Sequence, residues 1–281
     1  MAKAIPSILP ELTFEEALEI TKIYSIVGNL NKNSPLIKSR PFRCPHHTIS
    51  VHSLVGGGMT PKPGEVSLAH LGVLFLDELP EFKKGTLEVL RNPLEDGEIT
   101  ISRANGSFTY PCEFMFVASM NPCPCGYYGS NNKKCTCSMH QIERYMAKIS
   151  GPILDRIDIQ VEVFPIEYEK MEQHHVAETS EKIRKRVNQA RKLQEERYKK
   201  QKIYSNSQLT PKLMEKYCRL DKESKKILKG AFETLGLSAR AYTRILKVAR
   251  TIADLDQCEQ IQIQHIAEAI QYRNLDKKYW K

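Results

Sequence analysis

Three groups of residues in this 281-residue chain have the types and spacing to do chemistry. The first is Asp77-Glu78, which directly follows the apolar run Gly72–Leu76. An acidic pair at the carboxyl end of a parallel strand lies where α/β folds place their ligand sites. One carboxylate there can hold Mg²⁺ through its water shell, because that ion takes one or two hard oxygen ligands and keeps its waters. The other can orient or polarise an attacking water. Asp77 as the cap of a following helix is the plainer alternative. Asn121, in Ala118-Ser-Met-Asn121-Pro, follows the next apolar run and could hold a water against a phosphate, although Asn before Pro also suits a turn. The second group is Cys123-Pro-Cys125 and Cys135-Thr-Cys137. Two thiol pairs joined by a short loop can close a tetrahedral four-sulfur site, and soft thiolates suit Zn²⁺; four reduced structural cysteines are the alternative. The third is Lys182–Lys202, with ten basic and two acidic residues. A basic face points to an anionic partner such as nucleic acid, and a solvated outer helix face would account for it equally.

The elements needed to position these groups can be read from the apolar pattern. Gly72–Leu76, Phe114–Ala118 and Ile157–Val163 are predicted as buried strands, with helices over Phe14–Val27 and Lys84–Leu94. Strands alternating with helices predict an α/β unit with a parallel sheet. Glu98–Pro111 reads as a β-hairpin turning at Asn105-Gly106. Beyond Pro165 the period becomes helical. Val176, Ile183, Val187, Ala190 and Leu193 form one stripe; Tyr242, Ile245, Leu246, Ala249, Ile252 and Ala253 a second; Ile263, Ile266, Ala267 and Ile270 a third. The predicted domains are 1–166, α/β, and 167–281, all-α. Net charge divides the same way: residues 166–281 carry 26 Lys and Arg against 16 Asp and Glu, whereas residues 1–165 are near neutral. A hydrophobic content of 41% with 27% charged residues excludes disordered, collagen-like and coiled-coil classes. No apolar run approaches the roughly 18 residues of a membrane span. Eight cysteines without a secretion signal predict a reducing, cytoplasmic setting. His46-His47 and His174-His175 read as surface or packing residues.

Taken together, the motifs amount to a resemblance. Leu74-Phe-Leu-Asp-Glu-Leu-Pro80, Ala118-Ser-Met-Asn-Pro-Cys-Pro-Cys-Gly126, Ser150-Gly-Pro-Ile-Leu-Asp-Arg-Ile-Asp158, Leu237-Ser-Ala-Arg-Ala-Tyr-Thr-Arg-Ile-Leu246 and Arg40-Pro-Phe-Arg-Cys-Pro-His-His-Thr-Ile-Ser50 occur in the order seen in the Mg-chelatase-like AAA+ ATPases of the ComM/YifB type, and the chain resembles that family over nearly its whole length. The resemblance implies a partial P-loop NTPase sheet followed by a helical lid. It makes Asp77 and Glu78 the Walker B pair and Asn121 sensor 1. Arg156 resembles an arginine finger, although pairing with Asp155 or Asp158 is the plainer reading. Arg240 resembles sensor 2, with Arg244 the alternative lid arginine. Residues 44–66 resemble the helix-2 insertion and 98–111 the pre-sensor hairpin. The implied activity is Mg²⁺-dependent ATP hydrolysis coupled to movement along DNA by a hexameric ring. The DNA contacts would be Arg103 on the hairpin and Lys185, Arg186, Lys192 and Lys199 on the basic helix. No membrane partner is expected.

One departure is marked. No Gly-x-x-x-x-Gly-Lys-Ser/Thr occurs anywhere in the 281 residues, and Gly56–Gly58 is not followed by Lys-Ser/Thr. The backbone cradle and lysine for the β- and γ-phosphates are absent, so the chain reads as a truncated product or a partial gene. Two further readings stay open: a Mg-chelatase-type ATPase subunit acting on a porphyrin, and a non-catalytic piece that binds zinc and nucleic acid.

Overall fold

The apolar run after Gly72 forms the middle strand of a three-stranded parallel sheet. The computed structural model describes residues 2–30, 35–58, 61–103, 106–130, 133–163, 178–201, 203–273 and 275. Asn105, His174, His175, Val176, Lys202 and the 166/167 boundary lie outside the described residues. Two units are present, Met1–Arg156 and Ile157–Lys281.

In the first unit the strands are β1 (Phe42–Arg43), β2 (Gly56–Gly57), β3 (Lys62–Pro63), β4 (Val73–Leu76), β5 (Glu98–Arg103), β6 (Gly106–Pro111) and β7 (Met115–Ala118). The sheet order is β1-β4-β7, with Val73 opposite Met115 and Leu76 opposite Ala118. Val73, Leu74 and Leu76 are fully buried, which fixes β4 as the core strand. Gly72 precedes it because a Cβ there would stand 2.1 Å from the Pro41 carbonyl oxygen. Helix Phe14–Ile26 begins with a capping box, Thr13 and Glu16 each bonding the other's backbone N–H. Within 44–66 lie a short helix, Val51–Val55, and the β2/β3 pair, Gly56 opposite Pro63. The hairpin β5/β6 spans 98–111 as expected from its turn, with Arg103 opposite Gly106.

Three expectations need correction. Lys84–Leu94 is two helices, Lys84–Glu88 and Arg91–Asp96, the second closed by Gly97 in the left-handed region at φ 69°. β7 is a strand but not a buried one: it pairs with β4 on one side, and Met115 is 45% exposed. Ile157–Val163 forms no strand at all, and Ile159, Val161 and Val163 are half-exposed or more. Alternation of apolar residues predicts a strand only where a neighbouring strand can pair with it. Here the Gln160 N–H instead donates to the Tyr272 carbonyl (2.9 Å), and the Arg273 guanidinium donates to that of Ile157.

The second unit is helical: Ser180–Tyr198, Pro211–Tyr217, Lys222–Leu235, Ala239–Leu255 and Ile263–Gln271. Its core gathers Tyr198, Leu228, Ile245, Ala249, Ala253 and Ile266. On the basic helix the deepest residues are Ala190, Gln194 and Tyr198, whereas Ile183, Val187 and Leu193 are half-buried. Gln194 and Tyr198 are drawn in because Asn206 pairs with both: its N–H donates to Gln194 Oε1 (3.2 Å), and Tyr198 donates to its Oδ1 (2.6 Å). Tyr242, assigned to the apolar stripe, is 39% exposed and meets Phe232 edge-on. Among the described residues no helix is long and apolar enough to cross a membrane.

Candidate functional site

β4 ends at Leu76, so the parallel geometry delivers Asp77 and Glu78 to the carboxyl edge of the sheet, both exposed. β7, in register beside it, delivers Ser119 and Asn121 to the same edge. The two ends are tied. The Ser119 N–H donates to the Leu76 carbonyl (3.0 Å), and the Leu79 N–H to that of Ser119 (2.9 Å). The Ser119 hydroxyl donates to Asp77 Oδ1, which also accepts the Glu78 N–H (3.1 Å). Asp77 is therefore an oriented carboxylate, held by a neighbouring strand rather than by a helix it caps.

Glu78 sits in the left-handed region, φ 53° and ψ 51°. For a residue with a Cβ this costs about 1–2 kcal/mol, and such outliers persist where the surroundings impose them. The bend turns the chain into the short 3₁₀ segment Leu79–Glu81. Glu78 Oε2 lies 3.8 Å from His47 Nδ1. His47 comes from the 44–66 segment, and its ring lies tilted against His46 at 4.0 Å between centroids and meets Phe82 edge-on. The sequence placed His46-His47 on a surface or in packing; the structure brings His47 to the acidic edge. Ser119 was likewise passed over. Its position, one residue past the strand adjoining Asp77, was the available clue.

Asn121 is exposed. Burial, helped by the charge of Glu81, pushes the Tyr145 phenol up to about 12. Tyr145 belongs to the helix Met139–Met146, capped by Ser138 and Gln141.

Arg156 is buried: its guanidinium pairs with Glu95 and donates to the Pro152 carbonyl (2.7 Å), while its Nε has no hydrogen-bond partner among the described residues. The pairing the structure shows for Arg156 is thus with Glu95. Arg240 and Arg244 stand on the helix Ala239–Leu255 of the second unit; Arg240 is exposed, and Arg244 donates to Asp158 Oδ1 (2.6 Å). Lys185, Lys192 and Lys199 are exposed and seven residues apart, so they share a face of the basic helix. Lys185 pairs with Glu181 (3.3 Å) and the exposed Arg186 with Glu178 (2.7 Å).

The four cysteines do converge. Their sulfurs all lie within 4.8 Å of one another, Cys123 buried and the others half-buried. Backbone N–H groups of Thr136 and Tyr127 pull the Cys125 thiol down to about 5. Cys44, Cys112, Cys218 and Cys258 remain free and scattered.

Comparison with known proteins gives a consistent result. Residues 1–171 match the family described as "Magnesium chelatase, subunit ChlI" and residues 177–273 its C-terminal counterpart, "Magnesium chelatase, subunit ChlI C-terminal". Competence protein ComM of Haemophilus influenzae is 47% identical over 275 residues, covering 97% of this chain and 52% of its own length. The YifB proteins of Escherichia coli and Salmonella typhimurium are 45% and 44% identical over 279 residues, each covering 99% of this chain and 54% of their own. The chain therefore spans about half the length of these relatives.

Proposed function

The chain belongs to the magnesium-chelatase-like family of the ComM/YifB type, and from that premise we propose that it supplies the acidic edge and the helical lid of a Mg²⁺-dependent ATPase that acts on DNA. The observation that carries this reading is the tie between the strand ends: Asp77 fixed by Ser119, with Glu78 beside it and Asn121 two residues beyond Ser119. The donor set suits the ion, since two exposed carboxylates are hard oxygen ligands that leave room for water. When bound, Mg²⁺ neutralises charge on the triphosphate. Asp77 holds the ion's water shell, Glu78 orients and polarises the attacking water, and Asn121 fixes that water from the adjoining strand. Arg240 belongs to the lid and acts on the nucleotide of its own subunit. Arg156 serves a neighbouring subunit's nucleotide, which requires a ring, hexameric by family, and exchange of its Glu95 contact for phosphate.

DNA is the second half of the proposal. The name of the Haemophilus relative, a competence protein, favours DNA over a porphyrin. The exposed Lys185, Lys192 and Lys199 and the hairpin strand carrying Arg103 offer the contacts.

The test is turnover. The 281-residue chain, lacking a phosphate loop, is expected not to hydrolyse ATP. The same chain preceded by a Gly-x-x-x-x-Gly-Lys-Ser/Thr phosphate loop is expected to do so, with Glu78→Gln reducing kcat by roughly 100-fold or more. Turnover by the 281-residue chain that Glu78→Gln abolishes would overturn the assignment of the missing loop. Turnover by the extended chain that Glu78→Gln leaves unchanged would overturn the role of Glu78.

A further inference from the structure

We infer that Cys123, Cys125, Cys135 and Cys137 hold one Zn²⁺ in a closed tetrahedral site, and that this site is a clamp fixing the segment that carries Asn121. The distances are those of a metal site. Cys123 Sγ lies 3.4 Å from Cys125 Sγ and 3.7 Å from Cys135 Sγ, and Cys125 Sγ lies 3.5 Å from Cys135 Sγ. Four sulfurs each about 2.3 Å from a tetrahedral zinc stand about 3.8 Å apart. A disulfide needs about 2.05 Å, and all four cysteines are free.

The surroundings match those of thiolate ligands. The Tyr128 N–H donates to Cys123 Sγ and the Cys137 N–H to Cys135 Sγ, both at 3.4 Å. Such outer bonds orient ligating sulfurs and offset their charge. Four thiolates fill the coordination shell, which makes the site structural rather than catalytic. Soft sulfur selects zinc over the Mg²⁺ that the carboxylate edge would take.

The clamp follows from connectivity. Cys123 is two residues from Asn121. Cys137 abuts Ser138, which caps the helix Met139–Met146, with Ser138 and Gln141 bonding each other's backbone (2.8 and 3.3 Å). That helix presents the buried Tyr145 to a hollow that Pro124, Cys125 and Cys137 also line. The metal therefore joins the Asn121–Cys123 stretch to the start of that helix. Asn121 is a positioned residue in this scheme; its part in hydrolysis rests on the function proposed above, whereas the metal and the clamp do not.

The experiment uses the 281-residue chain purified without chelators. Elemental analysis is expected to find about one zinc per chain, lost in Cys125→Ser with Cys135→Ser. Because that variant could fail to fold, Co²⁺ exchanged into the unaltered protein supplies a second reading, the intense visible bands of a tetrahedral tetrathiolate. Zinc retained by the double variant, no metal in the unaltered chain, or cobalt bands of an octahedral oxygen site would overturn the metal. Amide hydrogen exchange after zinc removal tests the clamp without any ATPase measurement. Faster exchange, roughly tenfold or more, is expected at residues 119–123 and 139–146 with β4 unchanged. Acceleration confined to 123–137 would overturn the clamp and leave the metal standing. In the chain extended by a phosphate loop, zinc removal that loosens residues 119–123 yet leaves ATP turnover unchanged would count against the role of Asn121 alone.

Discussion

Arg250 and Asp254 of the helical unit are 2% and 1% exposed, and every charge around them is answered. Asp254 accepts from Arg250, Arg197 and Asn206, while Arg250 also donates to the carbonyls of Cys258 and Glu259. Arg156 of the α/β unit is nearly as buried, at 9%, yet its partner Glu95 is half-exposed and its Nε is unanswered among the described residues. The same two groups serve different ends. A buried ionic cluster with all its hydrogen bonds made has no vacancy for a ligand and fixes helix packing. A buried arginine paired across a solvent-facing carboxylate can exchange that partner for another anion at small cost, as an arginine serving a neighbouring nucleotide must.

The widest separation between the two regions is expected from removing each carboxylate. Asp254→Ala leaves Arg197 and Arg250 uncompensated, which costs about 3–5 kcal/mol; urea unfolding is expected to lose that much. If the loss were under about 1 kcal/mol, the cluster would not be what holds these helices.

The basic helix carries both regimes on one element, since Arg197 points into the cluster while Lys185, Lys192 and Lys199 face water. Changing Lys185, Arg186, Lys192 and Lys199 together to Glu is therefore expected to leave the urea midpoint nearly unmoved. If these residues neutralise DNA phosphates, each lost contact lowers the log–log salt slope by about 0.9, up to about 3.6 for four. Fluorescence anisotropy with a labelled duplex at two salt concentrations reads this. An unchanged slope would make the face merely solvated.

The smaller half of the comparison concerns Arg156 itself. Glu95→Gln leaves a buried guanidinium short of charge, whereas Arg156→Met lets an exposed carboxylate return to water. The first is expected to cost about 1–3 kcal/mol and the second less. Equal losses would place Arg156 with Arg250 as a packing residue.

These contrasts also show what the sequence reveals. β4, the hairpin and the acidic pair are legible because each is local: an apolar run, an Asn-Gly turn, two carboxylates at a run's end. The cysteine cluster is legible for the same reason, with four thiols in fifteen residues. Ile157–Val163 has the alternation of a strand but no strand beside it among the described residues, and pairing is a property of two segments. His47, Ser119 and the Glu95 contact of Arg156 are likewise products of distant segments meeting, 31, 42 and 61 positions apart. Gln194 and Tyr198 are buried by Asn206, which no helical period could reveal.

The smallest expected effect is a pH dependence in the α/β unit, where His70 is 3% exposed. Its Nδ1 accepts the Glu113 N–H at 3.1 Å, so the ring is neutral with its proton on Nε2, 3.4 Å from Glu19 Oε1. Burial lowers its pKa below the usual 6.5, and the charges of Glu19, Glu113 and Glu16 oppose without reversing that shift. Between the lowered folded pKa and 6.5 the unfolded chain binds the proton and the folded chain does not. Stability therefore rises with pH across that window: the contribution is complete above the unfolded value and is lost as pH falls through 6.5 toward the folded one. His70→Asn keeps an acceptor for the Glu113 N–H and removes the titration. Urea midpoints at pH 7.5 and 5.5 are expected to fall further for the unaltered protein than for this variant, the remaining histidines being common to both. Parallel declines would mean that the ring is protonated in the folded state, with Glu19 holding it as an ion pair.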